Sequence, residues 1–252
     1  AQVARYDLLF MLTAGFFLLF ALPCFFFVRE KPLAGRRFSW DSLSRAVRQV
    51  RETVRFGMKR HPDLIRFLIG RACYTDAINT VIMFMGIYVT NEVGYNEKQV
   101  SLVMMAAVAF AMAGGFAWGP LVDRIGPKRT LDYVLFLWMA DFLLIAAVGF
   151  FHLPGWAFLP APCLAGIAMG GTWAADRPYM LRLTPPGRIG EYYGLYNMVG
   201  RFSAVTGPFL WAIVADKMGL GRPAAVLTLL GAGVVSYAIL RPVSDRRRKW
   251  GK

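Results

Sequence analysis

Uncharged stretches long enough to cross a membrane recur along the 252-residue chain. The first, residues 8–28 (LLFMLTAGFFLLFALPCFFFV), carries no charge and suffices for one helical span of about 20 residues. Further spans are expected at 64–89, 98–121, 131–151, 156–180, 192–215 and 223–240. Gln99 to Val122 and Pro223 to Leu240 are free of charge throughout. The apolar run from Phe142 to Ala175 is too long for one helix, and Pro154-Gly155 supplies the turn that divides it. The pattern therefore predicts an all-α polytopic membrane bundle of about seven helices. Two spans carry internal cations, Arg66 and Arg71 in one and Arg201 in another.

Between the first two spans lies a connector, 29–63. Its segment Ser42 to Lys59 has helical periodicity behind Asp41, an N-cap residue type. Leu43, Val47, Val50, Val54 and Met58 form one stripe, and Arg45, Arg48, Arg51, Arg55 and Lys59 form a cationic face. Two readings stay open at this point: a helix lying on an anionic lipid surface, or a linker helix packed on the ends of the spans.

Charge adds orientation. Lys and Arg number 29 against 15 Asp and Glu, a net charge of +14 in a chain that is 57% hydrophobic. If 29–63, 122–130, 177–191 and the tail from 241 share one side, that side holds twenty-two cations and the opposite loops four. The excess marks the cytoplasmic side, so the C-terminus is expected in the cytoplasm and the N-terminus outside. Topology thus accounts for the basic groups, and no nucleic-acid partner is needed. Cys24, Cys73 and Cys163 stand singly, which excludes a disulfide framework or a zinc site. His61 and His152 are the only histidines, and neither HExxH nor GxSxG occurs. The expectation is no enzyme, no metal and no cofactor.

One segment is more specific: Gly119-Pro-Leu-Val-Asp123-Arg124-Ile-Gly126-Pro-Lys128-Arg129. It resembles the signature loop of the major facilitator superfamily, G-x-x-x-D-R-x-G-x-[KR]-[KR], which in that family joins the second and third helices of each six-helix half. The resemblance implies that 1–28 contains the last helix of an N-terminal half, 29–63 is the cytoplasmic central loop, 64–242 the C-terminal six-helix bundle and 243–252 a basic tail. The chain, which starts at Ala1, then reads as the C-terminal portion of a longer protein whose other half is missing. Arg71-Ala-Cys-Tyr74-Thr-Asp76-Ala-Ile-Asn79-Thr80, Gly170-Gly171 followed by Asp176-Arg177, Leu183-Thr-Pro185, Glu191-Tyr-Tyr-Gly194-Leu-Tyr196 and Gly207-Pro208 narrow the likeness. Together they resemble the vacuolar amino-acid effluxers related to autophagy and their bacterial relatives. The chain departs from that pattern at Trp173 and Asp176-Arg177-Pro178.

Depth then picks out candidate site residues. Asp76 lies about 18 Å and Arg201 about 14 Å along their spans from the cytoplasmic end, at 1.5 Å per residue. Ionisable groups at such depth face a bundle interior or a watery cavity. Asp76, with Asn79 one turn on, and Arg201 are expected to bind substrate or couple a proton, or to form a structural ion pair. Arg71, Asp176 and Arg177 are expected to form a cytoplasmic gate. Gly119, Asp123, Arg124, Gly126, Lys128 and Arg129 are expected to govern conformational exchange. Asp141 is also mid-span, but on a helix peripheral in the superfamily, and is expected to be structural. Gly115-x-x-x-Gly119 and Gly166-x-x-x-Gly170 are expected to let helices approach closely, and Gly207-Pro208 to kink its helix.

The function the resemblance implies is secondary active transport of a small solute, with an amino acid as the first candidate, by alternating access. Its partners would be that solute, a coupling proton and anionic lipids, in a bacterial inner membrane. The alternatives are a non-transporting membrane anchor or sensor, and a seven-helix receptor. The receptor reading finds no Schiff-base Lys and no Asn-Pro-x-x-Tyr in the last span, and leaves Gly126, Lys128 and Arg129 unexplained.

Overall fold

The computed structural model describes residues 2–27 and 40–244. Part of the central connector and all but the first two residues of the expected tail lie outside the described residues. The chain divides into two units, residues 1–46 and 47–252. The first holds α1 (Gln2–Phe27), apolar on every side from Leu8 to Phe27. No charge falls within that stretch, so the whole cylinder suits a lipid or protein surround.

The helix α2 (Trp40–Arg60) continues into the second unit. It starts before Asp41, which is therefore inside the helix and not its cap. Five spans and a broken sixth follow: α3 (Pro62–Tyr88), α4 (Glu97–Ile125), α5 (Pro127–Phe150), α6 (Pro160–Leu183), then α7 (Ile189–Phe202) with α8 (Thr206–Ala212), and α9 (Gly221–Leu240). With α1, seven segments are long and apolar enough to cross a membrane among the described residues.

Local chemistry sets these boundaries. Pro62, Pro127 and Pro160 open α3, α5 and α6, where a missing N–H costs nothing. Asn96 and Gln99 form a reciprocal capping box at the start of α4: the Asn96 side chain accepts from Gln99 N at 3.0 Å, and the Gln99 side chain accepts from Asn96 N at 2.9 Å. The loop expected at 122–130 is shorter than its sequence implies. Helix α4 runs through Asp123 and Arg124, and the chain turns at Gly126, whose φ of 91° only glycine adopts without strain.

The sixth span breaks at Ser203–Val205, a tight 3₁₀ turn one step before the expected kink at Gly207-Pro208. Pro208 has no N–H to donate back to the preceding turn, so the helix opens on its N-terminal side.

Helix α6 packs on α4 and α5, while α9 packs on α3 and α5, so α5 lies between α6 and α9. Close approach of α4 and α6 depends on glycine. A Cβ on Gly166 would overlap the Ala107 carbonyl oxygen, and one on Gly170 would overlap the Gly115 backbone nitrogen. Gly114 meets the Ile167 backbone in the same seam. Gly119, expected to share this role, has open space around it.

Candidate functional site

Of the three in-span cations, Arg71 alone points into the bundle; Arg66 and Arg201 are exposed. Arg71 and Tyr74 stand three residues apart on α3 and so share a face. Opposite them, Asp176 projects from α6 and Tyr196 from α7. Arg71 Nε donates to Asp176 Oδ2 at 3.0 Å, Tyr74 OH to Asp176 Oδ1 at 2.5 Å, and Tyr196 OH to Asp176 Oδ2 at 2.7 Å. Arg71 also donates to the Tyr196 carbonyl at 3.1 Å, and its guanidinium lies 3.7 Å from the Tyr196 ring centroid. Both charged groups are buried. One carboxylate thus collects three donors from two other helices, the arrangement that makes a buried pair tolerable. Of the expected gate residues, the structure brings Arg71 and Asp176 together and leaves Arg177 exposed.

Asp76 is buried one turn deeper. Its Oδ1 accepts the Gly207 N–H at 2.8 Å, and its own carbonyl accepts the Thr80 hydroxyl at 2.7 Å. The first of these bonds spans from α3 to the first turn of α8. It satisfies an amide that the break in the helix leaves without a carbonyl partner. Gly207 sits so close that a Cβ there would overlap Thr80 Oγ1. Pairing of Asp76 with Arg201 is not found: Arg201 forms no ion pair among the described residues. Asn79 is half-buried and makes no hydrogen bond among them.

The signature segment is split by exposure. Asp123, Arg124 and Arg129 are exposed and form no ion pair among the described residues. Lys128, by contrast, is buried and pairs with Asp132 one turn on, at 2.5 and 2.7 Å.

The connector helix docks by its smaller residues. The Thr53 hydroxyl donates to Glu191 Oε2 at 3.0 Å, Tyr192 OH donates to the Thr53 carbonyl at 3.4 Å, and Gly57 nests against Ile65 and Tyr192. Within the expected apolar stripe Val54 is half-buried, whereas Val50 and Met58 stay exposed. Arg48, Arg51 and Arg55 are exposed on the same helix. For this stretch the linker-helix reading describes the packing.

Depth in the sequence gave no hint of a further feature. Between α3, α4, α5 and α6, at the Pro154 end of the bundle, lies a cavity of about 300 Å³. Its walls include Met85, Met104, Trp138, Phe158, Met169 and Trp173, and Asp141 stands among them. Asp141 is 0% exposed, and neither carboxyl oxygen has a hydrogen-bond partner among the described residues. The neighbouring helices offer the carboxyl group no hydrogen-bond partner that would tie it into the fold. Trp138, one turn before it on α5, spends its N–H on Thr172 at 3.1 Å.

Residues 2–249 match the family model described as vacuole effluxer Atg22 like. The uncharacterized MFS-type transporter YxiO of Bacillus subtilis (strain 168) is 23% identical over 248 residues, covering 96% of this chain and 54% of that protein. Autophagy-related protein 22-1 of Aspergillus fumigatus is 26% identical over 200 residues, 75% of this chain and 32% of that one. Its counterpart in Aspergillus niger is 27% identical over 209 residues, 77% and 33%. The chain therefore spans about half the length of the bacterial relative and about a third of the fungal ones. No solved structure matches it.

Proposed function

The chain belongs to the Atg22-like vacuole effluxer family, and from that membership we propose that it forms the C-terminal portion of a secondary transporter. In this reading α1 is helix six, α2 lies in the central loop, and α3 to α9 form the second half of a twelve-helix protein that moves a small solute, with an amino acid as the first candidate, by alternating access.

The observation that carries the reading is an asymmetry along one helix pair. Helices α3 and α6 are bolted together at the Gly126 end by Arg71, Tyr74 and Asp176, and part around a cavity at the Pro154 end. A bundle that rocks about a midplane site must be tied at one end while open at the other. The buried cluster then serves as the gate, and Asp76 links α3 to the break in the sixth span, so that movement of one is felt by the other. The exposed Asp123, Arg124 and Arg129 are left for the missing half to engage. The faces of α4 and of α7 with α8, rich in exposed apolar residues such as Phe116 and Phe209, suit the same partner. The charge asymmetry supports a cytoplasmic C-terminus in a bacterial inner membrane, with Arg48, Arg51 and Arg55 near anionic lipid headgroups.

Reconstitution of the full-length protein into liposomes, with an imposed pH gradient and radiolabelled amino acids, tests the proposal. Accumulation that an uncoupler abolishes is expected; failure to move any solute, with or without a gradient, would overturn it. Single cysteines at Asn96 and His152 should be labelled from outside intact cells, and protection of both would invert the topology.

A further inference from the structure

The cavity between α3, α4, α5 and α6 has a chemistry that the transport reading leaves undefined. Its walls are aliphatic, aromatic and thioether, and Asp141 is the sole ionisable residue in them among the described residues. A carboxyl group taken out of water without a hydrogen-bond partner is a cost that no contact in this wall offsets. Asp176, in the same bundle, shows what the fold supplies to a buried carboxylate that it holds in place: three donors. Asp141 has none.

From this pairing of an apolar cavity with an unpartnered carboxyl in its wall, we propose that the cavity is a binding site for a small organic cation: an apolar body carrying one protonated amine, whose N–H groups are received by Asp141. Trp138, Phe158 and Trp173 line the same cavity, and a desolvated cation gains further wherever it meets an aromatic ring face. A divalent metal is a poor match, since it wants six or more oxygen ligands and the wall offers one carboxylate. An anion would find no cationic partner in the wall. At about 300 Å³ the cavity lies at the small end of ligand sites, which fits a solute of amino-acid size or less. Asp141 is fully covered in this structure, and Met85, Met104 and Met169 in the wall are unbranched side chains of a type that repacks at little cost.

The proposal deepens the transport reading and rests on it only in treating the ligand as cargo. It also narrows that reading. A free amino acid would find a partner here for its amine but none for its carboxylate, so the cavity by itself selects the amine end.

The test uses 2-phenylethylamine, phenylalanine and 3-phenylpropionate as probes of the full-length protein in detergent, read by quenching of the cavity tryptophans and by thermal shift. Saturable binding of 2-phenylethylamine is expected, with 3-phenylpropionate at least about tenfold weaker. Asp141→Asn should weaken the amine by about tenfold or more while leaving the protein folded. Met169→Trp, which fills the cavity and keeps Asp141, should abolish binding. Equal binding of the amine by wild type and Asp141→Asn, or of the amine and the propionate by wild type, would overturn the proposal; so would unaltered binding by Met169→Trp. Liposome uptake of the same amine separates the two readings. Binding that depends on Asp141 without uptake would keep the site and remove the transporter, and uptake indifferent to Asp141→Asn would do the reverse.

Discussion

Asp176 and Asp141 are both buried in one helical bundle, and their surroundings are opposite. Asp176 receives Arg71, Tyr74 and Tyr196 and is wrapped by charge-assisted bonds from two other helices. Asp141, on the most enclosed helix, receives nothing and faces a cavity of apolar side chains. Depth is the same kind of fact for both, so depth does not distinguish a structural carboxylate from one held ready for a ligand. The donor count does. A buried acid whose oxygens are filled contributes to the fold; one whose oxygens are empty is a burden on it, retained for something else.

The sharpest way to break this contrast is at Arg71. Arg71→Ala leaves Asp176 buried beside two tyrosines and no cation, and should cost about 3–5 kcal/mol of stability, measured as denaturant unfolding in a fixed micelle. A loss below 1 kcal/mol would mean that the cluster is not a clamp. Next in size is Tyr196→Phe, which removes one donor to Asp176 and should cost about 1.5–3 kcal/mol by the same assay. At the seam that sets the cavity's outer wall, Gly170→Val places side-chain atoms against the Gly115 and Ala111 backbone. It should destabilise by about 1–3 kcal/mol and change amine binding as α4 and α6 separate. The smallest effect on stability is expected at Asp123→Asn, within about 0.5 kcal/mol because the group is exposed and unpaired. Its turnover in liposomes should fall, and unchanged turnover would reduce the signature segment to a topology marker.

Much of the fold was legible in advance because apolar length is a one-dimensional signal. The spans begin and end within a few residues of expectation, and the turn at Pro154-Gly155 is where the punctuation placed it. The signature segment and the effluxer motifs point by themselves to the family that the chain belongs to. What was not legible depends on which way a helix faces. Arg201 has the depth of a site residue but points out of the bundle, because depth counts residues along a span and says nothing of rotation about it. Tyr74 and Tyr196 carry no charge to mark them in the sequence, although Tyr74 is one helical turn from Arg71, a spacing that flags a shared face. The position of its helix in the superfamily points Asp141 to a structural role. The lack of a donor is a property of α3, α4 and α6 as packed around it, and no window of sequence contains it.

The central claim is that one of these aspartates is held and the other is not, and matched replacements measure it most directly. Asp176→Leu and Asp141→Leu should be unfolded side by side in the same micelle. Asp176→Leu is predicted to lose about 3–5 kcal/mol because it strands Arg71. Asp141→Leu is predicted to unfold at or above the parent's denaturant midpoint, since an unpaired buried carboxyl is exchanged for an apolar side chain in an apolar wall. Equal losses at the two positions would contradict the account, because they would mean that Asp141 has a partner in the folded protein and its cavity no claim to a cation.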